Sequence, residues 1–402
     1  MNSLTLVFIP ILLFSVLLFV FSGFVSEFLF ESREYQSYIK IIAAFLPFIV
    51  FSSMLEGFIR GLKVINLYVK LIIVSNVVNL LIIIPLVLIY GIPGAIIGIL
   101  SSNILYVSFS IFYLKKNGII DKFEFNLVFD KILFLKILKV SFVFLVSGAF
   151  FQLSLLLLRK IIIADLGLYF NGIFQSVIGI SISYFGFIFL SLSTYSFPTI
   201  SKLNTEPEII DELNVNVKYI ILLMVPLIIL IYSFRFIVIS ILFSKDFYIA
   251  ENLFSYQFMG DYFKALAWAI GIWLVPKMKL KAFLLLEIIL NLNLVLIFYF
   301  LIKVVGKNIE YVSIAYLITY FIHFVLNYFF SRKLINFNFN SENLKLFIMS
   351  FVFIIPLIII SSNYYFIGNI IAVPVLIIWL MFSVKKSEYD ELKLFLLSKL
   401  KK

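Results

Sequence analysis

Apolar residues run through this chain in blocks of about 20, long enough to cross a hydrocarbon core as helices, with charged clusters or Gly/Asn turns between them. A helix in lipid satisfies its own backbone hydrogen bonds, so each block predicts one transmembrane helix. Breaking the chain at those turns gives about twelve spans: 4–30, 38–58, 71–90, 92–114, 137–158, 168–197, 217–243, 252–276, 283–302, 309–331, 346–362 and 365–383. The first block lacks a basic leading region and a small-residue cleavage site, and reads as a retained span. Loops of at most about 25 residues leave no room for a soluble domain on either side.

Composition narrows the chemistry. Of 402 residues, 63% are hydrophobic and 13% charged, with no Cys and one His, which excludes a water-soluble enzyme, disulfides, thiolate nucleophiles and thiolate metal sites. The lone His323 makes a histidine-based metal cluster or catalytic triad improbable. No Walker motif or zinc-binding helix motif is present, so neither ATP-driven transport by this chain nor a cofactor is expected. The 49 Phe and 22 Tyr suit lipid-facing surfaces and interfacial belts.

The net charge of +11 reads as an orientation signal rather than as nucleic-acid binding. If the first residue is cytoplasmic, 23 of the 32 Lys and Arg fall on the cytoplasmic side and 8 on the other, with Lys264 inside a span. Both termini are therefore expected in the cytoplasm, with the basic residues meeting anionic membrane lipids. The tail 385–402 sets Leu392, Phe395 and Leu396 on one face between lysines, as an interfacial amphipathic helix does.

Shifting the first four spans by about 216 residues lands on the seventh to tenth. Arg60 and Lys63 recur as Lys277 and Lys279, Asn76 and Asn79 as Asn291 and Asn293, the Gly91–Gly94 turn near Gly306, and Lys115–Lys116 as Arg332–Lys333. Parallel repeats of this kind are a common plan for transporters that work by rocking two halves. The halves divide as spans one to six and seven to twelve, or else spans five to ten form a complete half and the other keeps four helices. Polar residues in spans five and six favour the second division, because the last two spans are almost wholly aliphatic and look peripheral.

The stretch NGIFQSVIGISISYFGFIFLSLSTYSFPTISKL from Asn171 to Leu203, the run FSYQFMGDYFKALAWAIGIWLVPKMKLKAFLLLE from Phe254 to Glu287, and EGFIRGLK at Glu56–Lys63 resemble the Wzx-type polysaccharide flippases. These include the O-antigen and enterobacterial common antigen lipid flippases of the multidrug/oligosaccharidyl-lipid/polysaccharide exporter superfamily. The resemblance runs from about residue 10 to 331. It implies an all-α polytopic membrane protein with two pseudo-symmetric lobes around a central cavity, the MATE/flippase fold. On that plan 1–116 is an N-lobe of four helices lacking the family's first two, and 117–136 a cytoplasmic linker. Residues 137–333 form a six-helix C-lobe, 334–384 two additional helices and 385–402 the basic tail.

Ionisable groups inside a span are costly and mark functional sites by default. Lys264 lies midway along its span with Asp261 and Gln257 on the same side, and is expected to offer positive charge to a pyrophosphate while Asp261 holds it. The alternative is an i, i+3 ion pair fastening two helices. Arg159, Asn171 and Gln175 are further cavity candidates for phosphate or sugar, although Arg159 can instead snorkel to headgroups and the amides can join helices. Glu56 and Arg60, spaced i, i+4, form a gate or a helix-surface pair, and Glu287 pairs with a base or titrates during transport. No residue is expected to be catalytic.

The leading functional expectation is a flippase carrying an undecaprenyl-pyrophosphate-linked oligosaccharide across a bacterial inner membrane for O-antigen or related polysaccharide, alongside a polymerase and a chain-length regulator. An ion-coupled small-molecule antiporter of the same superfamily would favour an acidic cavity. A membrane glycan polymerase or ligase would carry a large extracytoplasmic loop, whereas the longest loop here, 115–136, lies on the cytoplasmic side of the predicted topology.

Overall fold

The computed structural model describes residues 2–30, 32–61, 65–118 and 131–384. Among these, the regular structure is helical throughout. The chain divides into two compact units, Met1–Lys139 and Val140–Lys402. Lys63, most of the linker 117–136 and the tail 385–402 fall outside the described residues.

The first unit holds α1 (Asn2–Val20), α2 (Ser22–Phe30), α3 (Gln36–Gly61), α4 (Ile65–Tyr90) and α5 (Ile92–Lys116). The first two form a broken pair bent by 71°. Within the unit α1 packs on α3, and α3 and α4 pack on α5. The α4–α5 hairpin turns at Gly91, whose φ of 60° suits a residue without a Cβ, and Pro93 starts α5 where its missing N–H goes unused. Leu80, Leu81 and Leu88 of α4 remain exposed, as a lipid-facing surface requires.

The chain enters the second unit along α6 (Lys131–Asp165), followed by α7 (Leu168–Ile180), a π-helical turn (Ser181–Phe185), α8 (Gly186–Lys202), α9 (Glu206–Ser233), α10 (Arg235–Leu242), α11 (Glu251–Gly271), α12 (Leu280–Phe300), α13 (Glu310–Ile335), α14 (Ser341–Asn363) and α15 (Tyr365–Ser383). The packing of the first unit recurs: α9 on α11, α11 on α13 and α12 on α13, with α9 and α10 broken at Phe234 and a positive-φ glycine, Gly306, in the α12–α13 connection. α9 begins eleven residues before the span expected at 217. Thr205 and Glu208 close a capping box there, and polar first turns precede the apolar run.

Among the described residues, ten helices are long and apolar enough to cross a membrane, and the bent pair α1–α2 raises the number to eleven. The remaining expected span, 252–276, is α11, which does not pass that test: Asn252, Gln257, Asp261 and Lys264 lower its hydropathy. It is nonetheless among the most buried helices, with Phe254, Phe258, Asp261, Tyr262 and Leu266 fully enclosed. A helix covered by protein need not be apolar. α11 and α13 cross so closely that a Cβ on Gly260 would stand 2.5 Å from the Tyr316 ring and 3.2 Å from the backbone of Leu317.

The last two helices are lightly buried, yet they are tied into the second unit. α14 and α15 pack on α9, and Trp379 is fully buried. Three of the polar residues of α14 fasten it to neighbouring helices. Tyr262 donates to Ser350 at 2.7 Å, Asn343 to the Asn214 carbonyl at 2.7 Å, and Arg235 to the Ser361 hydroxyl at 2.9 Å and carbonyl at 3.0 Å. In an aliphatic background such isolated polar groups mark attachment points.

A Gly260→Val change is expected to destabilise the protein by about 1–3 kcal/mol through overpacking at the α11–α13 crossing. Gly148→Val, at a position with nothing within 4 Å, serves as the control. Equal melting temperatures for the two purified variants would refute the crossing.

Candidate functional site

The site is built around the polar row of α11. Asp261 and Gln257, one turn apart, are almost entirely buried. Asp261 accepts hydrogen bonds from the hydroxyl of Ser181, which opens the π-helical turn, and from Tyr316 of α13 at 2.8 Å. π-helical turns occur mostly at functional sites. Gln257 extends the chain, donating to Ser181 at 3.0 Å, and stands 3.5 Å from the hydroxyl of Ser313.

Lys264 does not pair with Asp261. The i, i+3 spacing puts both residues on one face, but the Tyr316 hydroxyl stands between them, accepting from Lys264 Nζ at 3.3 Å while donating to Asp261. The ammonium also lies 5.4 Å from the ring centroid of Tyr320 and 5.9 Å from that of Tyr316. Tyrosine faces attract a cation through the ring quadrupole and do not neutralise it as a carboxylate would.

Lys264 lines a cavity of about 620 Å³ within the second unit. Its walls come from α6, α8, α11, α12 and α13, and from Ile272, Leu274 and Val275 in the connection that leads to the Lys277–Lys281 turn. Most of the lining is aromatic or aliphatic, including Phe144, Phe151, Phe189, Trp268 and Phe283. The polar groups are few: Lys264, Glu287, Ser147, Ser193, Tyr320, His323 and Asn327. Glu287 accepts from Ser147 at 3.3 Å and forms no ion pair with Lys264. An apolar cavity with a small number of placed polar groups is the usual form of a small-ligand site.

Of the other residues singled out in the sequence, Arg159 donates to Gln175 at 2.6 Å, and the Oδ1 of Asn171, one turn before Gln175, is buried without a hydrogen-bond partner. These three gather on α6 and α7 but do not line this cavity, and Asp261 and Gln257 sit behind its wall. In the first unit Glu56 and Arg60 form the i, i+4 pair at 3.2 Å, and Tyr68 donates to Glu56 at 2.9 Å. His323 sits on the cavity wall with Nδ1 unpartnered. Ser181, Tyr316 and Tyr320 were not singled out as site residues. The i, i+4 spacing of the two tyrosines was the available signal, hidden among 22 tyrosines read as membrane aromatics.

Tyr316→Phe removes the bridge and leaves an acceptor of Asp261 empty, which is expected to destabilise the protein by about 1–3 kcal/mol. In an Asp261→Asn background the same change should matter less, as a double-mutant cycle on melting would register. Strict additivity would show that the bond contributes nothing.

No protein-family model matches the chain. It is 25% identical over 302 residues to the lipid III flippases of Escherichia coli (strain K12) and Shigella flexneri, covering 75% of this chain and 72% of each relative. Among solved structures, an outward-facing multidrug resistance MATE family transporter of the MOP superfamily superposes with a TM-score of 0.68 at 16% identity, over 83% of this chain and 78% of that one. The lipid II flippase MurJ in an inward closed conformation gives 0.61 at 17% identity, over 95% and 82%. The fold is thus that of the MATE and MurJ transporters. Together with the likeness to bacterial flippases, it supports a multi-pass inner-membrane transporter of the flippase class.

Proposed function

We propose that the chain is a flippase moving an undecaprenyl-pyrophosphate-linked oligosaccharide from the cytoplasmic to the periplasmic leaflet by alternating access, for O-antigen or a related surface polysaccharide. The observation that carries this reading is the Lys264 ammonium on an aromatic-walled cavity, with one of its three donors on the Tyr316 hydroxyl and, among the described residues, no carboxylate within ion-pair distance. Such a group suits a phosphate or another anionic headgroup atom. Trp268 and the phenylalanines of the wall suit the apolar faces of sugar rings, and Glu287 and Asn327 suit sugar hydroxyls. The lipid tail stays in the bilayer and no covalent bond changes.

The distribution of basic residues favours cytoplasmic termini, with the Lys277–Lys281 turn on the cytoplasmic side. On that orientation the cavity belongs to the cytoplasmic half of the second unit, where a lipid-linked substrate is assembled. The proposed lobes are 1–116 and 137–333, the latter carrying the two further helices of 334–384. A polymerase and a chain-length regulator would act on the delivered product.

A second reading, a small-cation antiporter, draws on Glu287 in the same wall. One experiment separates the two: complementation of a flippase-deficient strain at matched expression. Removing a charge-assisted contact of about 1.5–3 kcal/mol should make Lys264→Ala lower glycan export roughly 10- to 100-fold, with Lys264→Arg retaining more. Full export by Lys264→Ala would sink the phosphate role. Loss in Glu287→Gln alone, with drug or cation efflux, would favour the antiporter.

A further inference from the structure

At the opposite end of the second unit from the Lys277–Lys281 turn lies a separate pocket of about 360 Å³. It is walled by the end of α9, the start of α10, the first turns of α11 and α13, and the end of α14. α11 rises about 1.5 Å per residue, so Ser255 in this pocket stands roughly 13 Å along the axis from Lys264. The enclosed stretch of Gln257, Phe258 and Asp261 lies between them. The two spaces are therefore distinct.

The floor of the pocket is rigid. Arg235 is 4% exposed and gives its Nε to Glu251 at 3.0 Å and its other nitrogens to the Tyr232 carbonyl and to Ser361. Those bonds use four of the five guanidinium donors and leave one unspent on a side chain that lines the pocket. Ser362 bonds back to the Ile359 carbonyl of its own turn, whereas, among the described residues, the side chains of Asn252, Ser255, Tyr256 and Glu310 form no hydrogen bond or ion pair. Asn252 and Tyr256 stand open to solvent and Ser255 and Glu310 are half-buried, so these unspent groups can meet a ligand entering from outside.

A site for an inorganic anion would present several free cations, and here the single cation is already bound to Glu251. An apolar ligand would not match a wall in which eight of ten residues are Tyr, Ser, Asn, Arg or Glu. What remains is a ligand that both donates and accepts at several points. We infer that this pocket binds one sugar residue, with an amino sugar preferred because Glu310 has no positive partner of its own. The assignment to a sugar rests on the transport reading above. On the orientation proposed there the pocket faces the periplasmic half, where a glycan arrives after translocation.

The test is ligand-observed saturation-transfer NMR on the full chain in phospholipid nanodiscs, with D-glucosamine, D-glucose and methylammonium as probes. D-glucosamine at millimolar concentration should receive saturation, D-glucose less, and methylammonium should compete poorly. The double variant Glu310→Gln/Asn252→Ala should reduce the signal at least fivefold, and Ser255→Phe, which fills the pocket, should abolish it, with melting temperatures reporting that both remain folded. Lys264→Ala should leave it intact. Absence of transfer to the wild type would overturn the proposal. So would methylammonium displacing D-glucosamine at equal concentration, the mark of a plain cation site, or a signal lost in Lys264→Ala and kept in the pocket variants. Loss of glycan export in Lys264→Ala with unchanged sugar binding in Glu310→Gln/Asn252→Ala would leave the flippase reading standing and remove this one.

Discussion

A helix that carries charge can cross a bilayer only where protein covers it and hydrogen bonds meet its ionised groups. In the second unit that condition falls on one hydroxyl. Tyr316 fills an acceptor of Asp261 and receives Lys264, so two charged residues three positions apart are each given a partner without being given to each other. The close α11–α13 crossing at Gly260 is what brings the tyrosine within reach. With the carboxylate occupied by Ser181 and Tyr316, the ammonium keeps its charge for the cavity.

This arrangement ties two environments together under the proposed function. An anionic group that draws Lys264 toward the cavity takes a donor away from Tyr316, and the hydroxyl that loses it is the one holding Asp261. Occupancy of the wet side of α11 is then felt on its dry side through a single oxygen atom, without any movement of the backbone. The fold shared with MATE and MurJ transporters does not select a cargo.

Much of this was legible because lipid imposes simple rules. Span lengths, the polar loops and the repeat all follow from them, and the positive-φ glycines at Gly91 and Gly306 stand where the repeated turns were read. Lys264 could be picked out because a charge in an apolar run is conspicuous. Tyr316 could not, since its meaning lies in a contact made 55 residues away on another helix. Helical spacing placed Asp261 and Lys264 on one face correctly yet failed on their partnership, which a third residue decides. The early start of α9 was missed because apolarity was followed where the Thr205–Glu208 cap carried the signal. The attachment of the last two helices was missed because Asn343, Ser350 and Ser361 look negligible in an aliphatic stretch until each is found bonded to a neighbouring helix.

Arg235 gives that last point a sharper form. Its guanidinium sits over Tyr232, Phe236 and Tyr365 and bonds twice to Ser361, so α14 and α15 supply half of its hydrogen bonds and one of its three rings. A buried charge stripped of its partners destabilises a fold by about 3–5 kcal/mol. The six-helix body from α6 to α13 is therefore not a self-sufficient module with an accessory hairpin. A shortened chain ending before α14 would keep the Glu251 and Tyr232 partners of Arg235 and lose Ser361 and Tyr365, leaving a buried guanidinium only half satisfied.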